Sequence, residues 1–228
     1  MDITLRKINR AEVLRYLGYG DNAPDALVAA QLDEAETIVR RLAKPRVLYR
    51  LFDLEPAGET LRVRGTALDL AGEAILAHLA GADQCVLLVA TLGMAVEREI
   101  FRLQVVDLAL ATVVDVTASA AIEQVCDQVQ EELAEMTASK GRFLTTRFSP
   151  GYGDMPLSLQ QPFCSVLDAG KIGVTVSKFY LLTPRKSVTA VFGICREPVS
   201  APLKACALCA IADTCSLRKA GTSCGKFD

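Results

Sequence analysis

The sequence predicts an α+β fold with an antiparallel or mixed sheet, flanking helices and one long helix. Three observations predict it. Ala118, Ile122, Val125, Val129, Leu133 and Met136 are spaced 4, 3, 4, 4 and 3 residues apart, which draws one apolar stripe along a single helix. Residues 46–54 and 60–64 alternate apolar and polar side chains on either side of a Pro56-Ala57-Gly58 turn, the pattern of a hairpin. Helices and hairpins follow one another without strict β-α alternation.

Asn9 stands before Arg10-Ala11-Glu12 as an N-cap with Glu at the third helical position, and the helix should close near Gly18. Residues 22–24 open a second helix with Leu27, Gln31, Ile38 and Leu42 on one face, and Pro45 follows its end. On the first strand Val47, Tyr49 and Leu51 alternate against Arg50; on the second Leu61 and Val63 face inward. Residues 70–79 read as a short helix, 85–90 as a fully buried strand and 93–103 as another helix. The long helix comes next, with Gly141 suited to its C-terminal cap. Beyond it come a strand over 142–148, a loop over 149–156, a helix over 157–167 and a strand over 172–176. A turn at Pro184 precedes the last strand, 187–195. The expected organisation is a helical segment over 1–44, an α+β core over 45–198 and a Cys-rich tail over 199–228.

Composition excludes several functions. The chain has 228 residues, 51% hydrophobic and 23% charged, enough to bury a core. Lys and Arg number 25 against 27 Asp and Glu, so there is no basic footprint for nucleic acid. One His and no Trp leave no His-built metal centre. The opening MDITLRKINR lacks an apolar core of signal-peptide length, and the most apolar stretch, 85–96, is too short to span a bilayer. A cytoplasmic location with no membrane association is expected. Four of the eight Cys fall beyond residue 205 as Cys206-x2-Cys209-x5-Cys215-x8-Cys224. Four thiolates can close a zinc site or hold an iron–sulfur cluster; the alternative is a reduced tail without metal. The scattered Cys85, Cys126, Cys164 and Cys195 read as small core residues. His78 reads as a hydrogen-bonded His rather than a catalytic one, Arg185-Lys186 as a solvated turn, and Glu131, Glu132 and Glu135 as a solvated helix face.

The stretch RFSPGYGDMP, 147–156, packs two Pro and two Gly between a strand and a helix. Pro fixes the chain and Gly lets backbone approach a ligand. Arg147 suits a carboxylate and Tyr152 offers a flat ring with a hydroxyl. The residues alone leave two readings open: a site for an anionic ligand with an aromatic part, or a tight turn with a surface Arg.

Here a resemblance enters. Arg147-x-x-Pro150-Gly151-Tyr152 resembles the R-x-x-P-G-Y motif of the activation domain of cobalamin-dependent methionine synthase. Pro156-Leu157-Ser158-Leu159-Gln160, Ile172-Gly173-Val174-Thr175 and Pro184-x-x-Ser187-Val188-Thr189-Ala190 are similar to further segments of that family in the same order. So are Ala90-Thr91-Leu92-Gly93 and the long helix bearing Asp115 and Glu123. The likeness runs over roughly 47–194 and looks most like the stand-alone members. Three departures stand out. Leu157-Ser158 occupies the place of a P-x-H sequence, Ser177-Lys178-Phe179 that of T-E-S, and Phe192 keeps a ring where the family has Tyr among its aromatic residues.

The resemblance implies a function. The family binds S-adenosylmethionine and helps reduce and remethylate cobalamin, with an external electron donor. It implies a ligand site at Arg147, Ser149, Pro150, Gly151, Tyr152 and Ser187. Arg147 would take the methionine carboxylate, and Glu123 is a candidate for the ammonium or sulfonium, its alternative being a solvated helix residue. No catalytic side chain is expected, because the work is positioning. The chain carries no cobalamin module, so its partner would be a methionine synthase or another corrinoid protein, served by a reductase. A corrinoid-protein binding module without methyl transfer and an iron–sulfur electron carrier are the rival readings.

Overall fold

The computed structural model describes residues 3–5, 8–19, 22–198 and 213–214. Helix α1, Arg10–Tyr16, begins where the sequence places it: the Asn9 side chain accepts from the N–H groups of Ala11 and Glu12. Helix α2, Ala26–Leu42, starts later than 22–24, behind Asp25, whose carboxylate accepts from Val28 N–H at 2.8 Å. Its buried face is therefore Leu32, Ala35, Ile38 and Val39, and Leu27, in the first turn, is left 69% exposed.

Strand β1, Arg46–Ala57, and β2, Thr60–Val63, form the expected hairpin, with Ala57 opposite Thr60. The connection is thus Gly58-Glu59, and Gly58 takes a left-handed φ of 67°. The helix expected over 70–79 is shorter. Leu70 belongs to β3, Asp69–Leu70, and α3, Glu73–His78, starts only after Gly72 turns the chain at φ 121°. Strand β4, Ala82–Thr91, is buried from Cys85 onward. Helix α4, Met94–Val106, follows, and α2 packs on it.

Helix α5, Leu108–Ala138, is the long helix, and its stripe of Ala118, Ile122, Val125, Val129 and Leu133 is buried. It is long and apolar enough to cross a bilayer by length and composition, but 56% of its most apolar stretch is buried in the fold. Glu131, Glu132 and Glu135 are exposed. Strand β5 is only Phe143–Leu144, not 142–148. The ladder breaks because the Thr145 hydroxyl, rather than a carbonyl, accepts from Gly193 N–H at 2.8 Å. Pairing resumes at Phe148 opposite Val191. After a single turn at Leu157–Leu159 comes α6, Gln160–Leu167. The strand expected over 172–176 contracts to β6, Thr175–Val176, because Ala169–Ile172 closes as a helical turn and Gly173 adopts φ 76°. It pairs with β7, Leu182–Thr183, and a cis peptide joins Thr183 to Pro184. Strand β8, Ser187–Cys195, matches the expectation.

The main sheet runs β3-β2-β1-β4-β8-β5, with β6 and β7 a separate pair. The β1–β2, β2–β3 and β5–β8 pairs are antiparallel. Two compact units can be distinguished. One gathers Met1–Tyr49, Leu88–Glu131 and Leu167–Val188, with a core that includes Leu32, Val39, Val96, Ile100 and Val125. The other gathers Arg50–Leu87, Glu132–Val166 and Thr189–Asp228, with a core that includes Leu68, Ile75, Leu87, Phe163 and Phe192.

Candidate ligand site

The loop over 147–156 lies in the second unit and is closed by its own backbone. Phe148 exchanges two backbone hydrogen bonds with Val191, at 2.9 and 2.8 Å, which fixes the entry. Tyr152 N–H then donates to Ser149 O at 3.0 Å, Met155 N–H to Tyr152 O at 3.0 Å, and Gly151 N–H to Met155 O at 2.9 Å. Gly151 and Gly153, at φ 93° and 54°, supply the left-handed conformations this path needs. Pro150 and Met155 are buried and anchor the loop; Gly151 and Tyr152 are exposed.

Asp154 ties the loop to α3. Its carboxylate accepts from Glu73 N–H at 2.6 Å and Ala74 N–H at 2.9 Å. The N-cap of α3 is Gly72, which has no side chain to do this. A Cβ on Gly72 would stand 2.8 Å from Asp154 Oδ1 and 3.1 Å from Asp154 C, so the glycine and the carboxylate fit as a pair. The N–H groups of Ala74 and Glu73 hold the Asp154 carboxyl below the usual carboxylate range.

The aromatic support is a short stack. The Tyr152 ring, 60% exposed, meets Phe148 edge-on at 6.2 Å, and Phe148 leans on His78 at 5.2 Å. His78 Nε2 donates to Thr146 O at 2.8 Å. Burial pushes the His78 pKa down, against the opposing effect of that hydrogen bond. A hydrogen-bonded, non-catalytic His is what the sequence suggests. Arg147 and Ser149 are half-buried. The exposed Tyr152 ring stands on a loop closed by its own backbone hydrogen bonds.

Glu123 and Ser187 belong to the first unit. Glu123 is half-buried on α5, where its charge, after burial and Glu12, helps push the Tyr16 hydroxyl up to about 12. The Ser187 hydroxyl donates to Thr91 Oγ1 at 2.8 Å. The solvated turn expected at Arg185-Lys186 is only half present. Arg185 is exposed, but Lys186 is 8% exposed, its ammonium 2.9 Å from Asp115 Oδ1 and 2.8 Å from Ser119 Oγ. The apolar stem of Lys buries readily when its charge is met. No spacing rule links residue 186 to 115 and 119, so sequence reading missed it. It missed Asp154 as well, although a helix opening on Gly72 without a side-chain cap is a hint that a cap must come from elsewhere.

Of the proposed metal ligands, Cys206, Cys209, Cys215 and Cys224 lie outside the described residues. Among the described residues no group of three or more His, Cys, Asp or Glu is placed to hold a metal. Cys85, Cys126, Cys164 and Cys195 are buried and form no disulfide with one another. Burial pushes the Cys85 thiol up to about 12, with the Asp53 charge adding to it, and the Cys164 thiol up to about 11. These are core residues, not thiolate ligands.

The α+β sheet, the flanking helices and the long buried α5 define the class: the fold of a methionine synthase reactivation domain. The particular likeness is to a solved structure described as the MetH reactivation domain bound to AdoHcy. The TM-score is 0.66 at 12% sequence identity, covering 98% of this chain and 85% of that chain. No protein-family model and no curated protein matches the sequence.

Proposed function

We propose that this chain binds S-adenosylmethionine and supports reductive remethylation of cobalamin held by a partner, a methionine synthase or a related corrinoid methyltransferase. One observation carries the reading: a self-closed Pro-Gly loop bearing Arg147 and Tyr152, on a fold shared with a domain solved with AdoHcy, the demethylated form of that ligand. When bound, the ligand would supply a sulfonium methyl group for the partner's corrinoid and remain behind as AdoHcy, the reducing electron coming from an external donor. The chain's own residues bind and orient. Arg147 meets the carboxylate with a charge-assisted, two-pronged contact. Ser149, Pro150 and Gly151 let backbone come close, and the exposed Tyr152 ring flanks the ligand. By the resemblance, Glu123 would take the ammonium or sulfonium and Ser187 would add a hydroxyl. No side chain is asked to move a proton, which suits a neutral His78. Cys206, Cys209, Cys215 and Cys224 hold zinc or an iron–sulfur cluster in this proposal, and the protein acts in the cytoplasm.

A second reading, a corrinoid-protein binding module without methyl transfer, is favoured by Lys178, a cation 5.0 Å over the Phe179 ring where the family has an acid. Anaerobic calorimetry separates the two. Binding of S-adenosylmethionine that weakens about a hundredfold in Arg147→Ala, the scale of a lost charged contact, supports the first. No binding to wild type, or unchanged binding in the variant, overturns it. Metal analysis and an anaerobic spectrum of the same sample test the tail: a colourless, metal-free protein removes both metal proposals.

A further inference from the structure

Residues 185–187 are held by three different elements of the first unit. Arg185 N–H donates to the buried Glu97 carboxylate on α4 at 2.7 Å. The Lys186 ammonium pairs with Asp115 Oδ1 at 2.9 Å and donates to Ser119 Oγ at 2.8 Å, both on α5. The Lys186 carbonyl accepts from Leu92 N–H at 3.0 Å. Ser187 Oγ donates to Thr91 Oγ1 at 2.8 Å, and the same Thr91 oxygen accepts from Gly93 N–H at 3.0 Å. Thr91 is fully buried. The turn between β4 and α4 and the start of β8 are thereby locked together, with an ion pair beneath whose ammonium is buried and whose carboxylate is partly exposed.

We infer that Lys186 is a positioning residue: its ion pair with Asp115 holds the Ser187 hydroxyl 2.8 Å from Thr91 Oγ1, in the place from which Ser187 is proposed to meet the ligand. The ligand half of this inference rests on the S-adenosylmethionine reading; the latch itself does not. Removing the charge of one partner of a largely buried pair leaves the other uncompensated, so Lys186→Met should loosen the segment while Lys186→Arg keeps it.

The test has two arms. In the first, amide hydrogen exchange by NMR follows Leu92 and Gly93 in the full chain without ligand. Lys186→Met should lower protection of both at least about tenfold, and Lys186→Arg should retain most of it. Unchanged protection overturns the latch. In the second, calorimetry with S-adenosylmethionine compares Lys186→Met, Ser187→Ala and the double variant. Each single change should weaken binding about tenfold, and the double no more than the weaker single, because one route carries both effects. Full additivity, or wild-type affinity in Lys186→Met, overturns the positioning role. Should Lys186→Met not fold, Asp115→Asn carries the same measurements. Absence of ligand binding in wild type removes the S-adenosylmethionine reading and, with it, the ligand role of Ser187. The exchange arm still decides the latch.

Discussion

The loop at 147–156 and the segment at 185–187 both carry proposed ligand residues, yet they are held by opposite means. The loop is closed by backbone hydrogen bonds among Ser149, Gly151, Tyr152 and Met155, and by one exposed carboxylate, Asp154, capping a helix. The segment is held by side-chain partners, with Glu97, Lys186 and Thr91 buried and Asp115 and Ser187 half-buried. Backbone closure is bought with glycines and prolines, which tolerate or impose the needed dihedrals. Side-chain closure depends on partners far along the chain and on charge being matched where water is scarce. The loop should therefore be sensitive to added bulk, and the segment to lost charge.

The largest effect should come from bulk at the loop's anchor. Gly72→Ala must carry a Cβ at φ 121° that meets Asp154 at 2.8 Å. A loss of about 3 kcal/mol in unfolding free energy, read by urea denaturation, is expected. A loss below about 1 kcal/mol would mean the Asp154 contact yields easily and would blur the contrast. Next is charge at the segment. Asp115→Ala leaves Lys186 largely buried without its partner, Asp115 itself being partly exposed at 35%; about 2 kcal/mol should be lost. The same substitution on a solvated partner would cost almost nothing, so this measurement ranks the segment directly.

A pH series gives a smaller effect and isolates the loop's support. The His78 pKa is lowered in the fold, so its neutral form is favoured. Stability tied to it is present above the ordinary His value and is lost as pH falls through the depressed one. Denaturation at pH 7 and pH 5 should show wild type losing more stability on acidification than His78→Gln; equal losses would sink the assignment. The smallest effect is expected at Glu132→Lys on the exposed face of α5, within about 0.5 kcal/mol by the same denaturation. A thiol titration adds a check on the core: Cys85, Cys126, Cys164 and Cys195 should react only after unfolding.

Much of the fold was legible in particular residues. Asn9, the apolar stripe of α5 and β8 appear where local pattern put them, and the β1–β2 hairpin forms with its turn moved on to Gly58-Glu59, because a cap, a period of 3.6 and a period of 2 are properties of neighbours along the chain. The misses share a cause. Leu27 looked inward until the helix start at Ala26 shifted the face. The strand at 142–148 was broken by a Thr145 hydroxyl that finds Gly193. Lys186 looked solvated because Asp115 and Ser119 lie far away in sequence.

By itself the sequence determined the α+β class, the long helix, the Pro-Gly character of the 147–156 loop and the division of eight Cys into a scattered four and a C-terminal four. Tertiary structure alone decided that Asp154 would cap α3, that His78 would be neutral behind Phe148, and that Lys186 would be a buried cation rather than a surface one. The physical reason is range. Dihedral preference and hydrophobic period are written locally. Desolvation and charge pairing depend on which distant groups the fold brings within about 3 Å of one another.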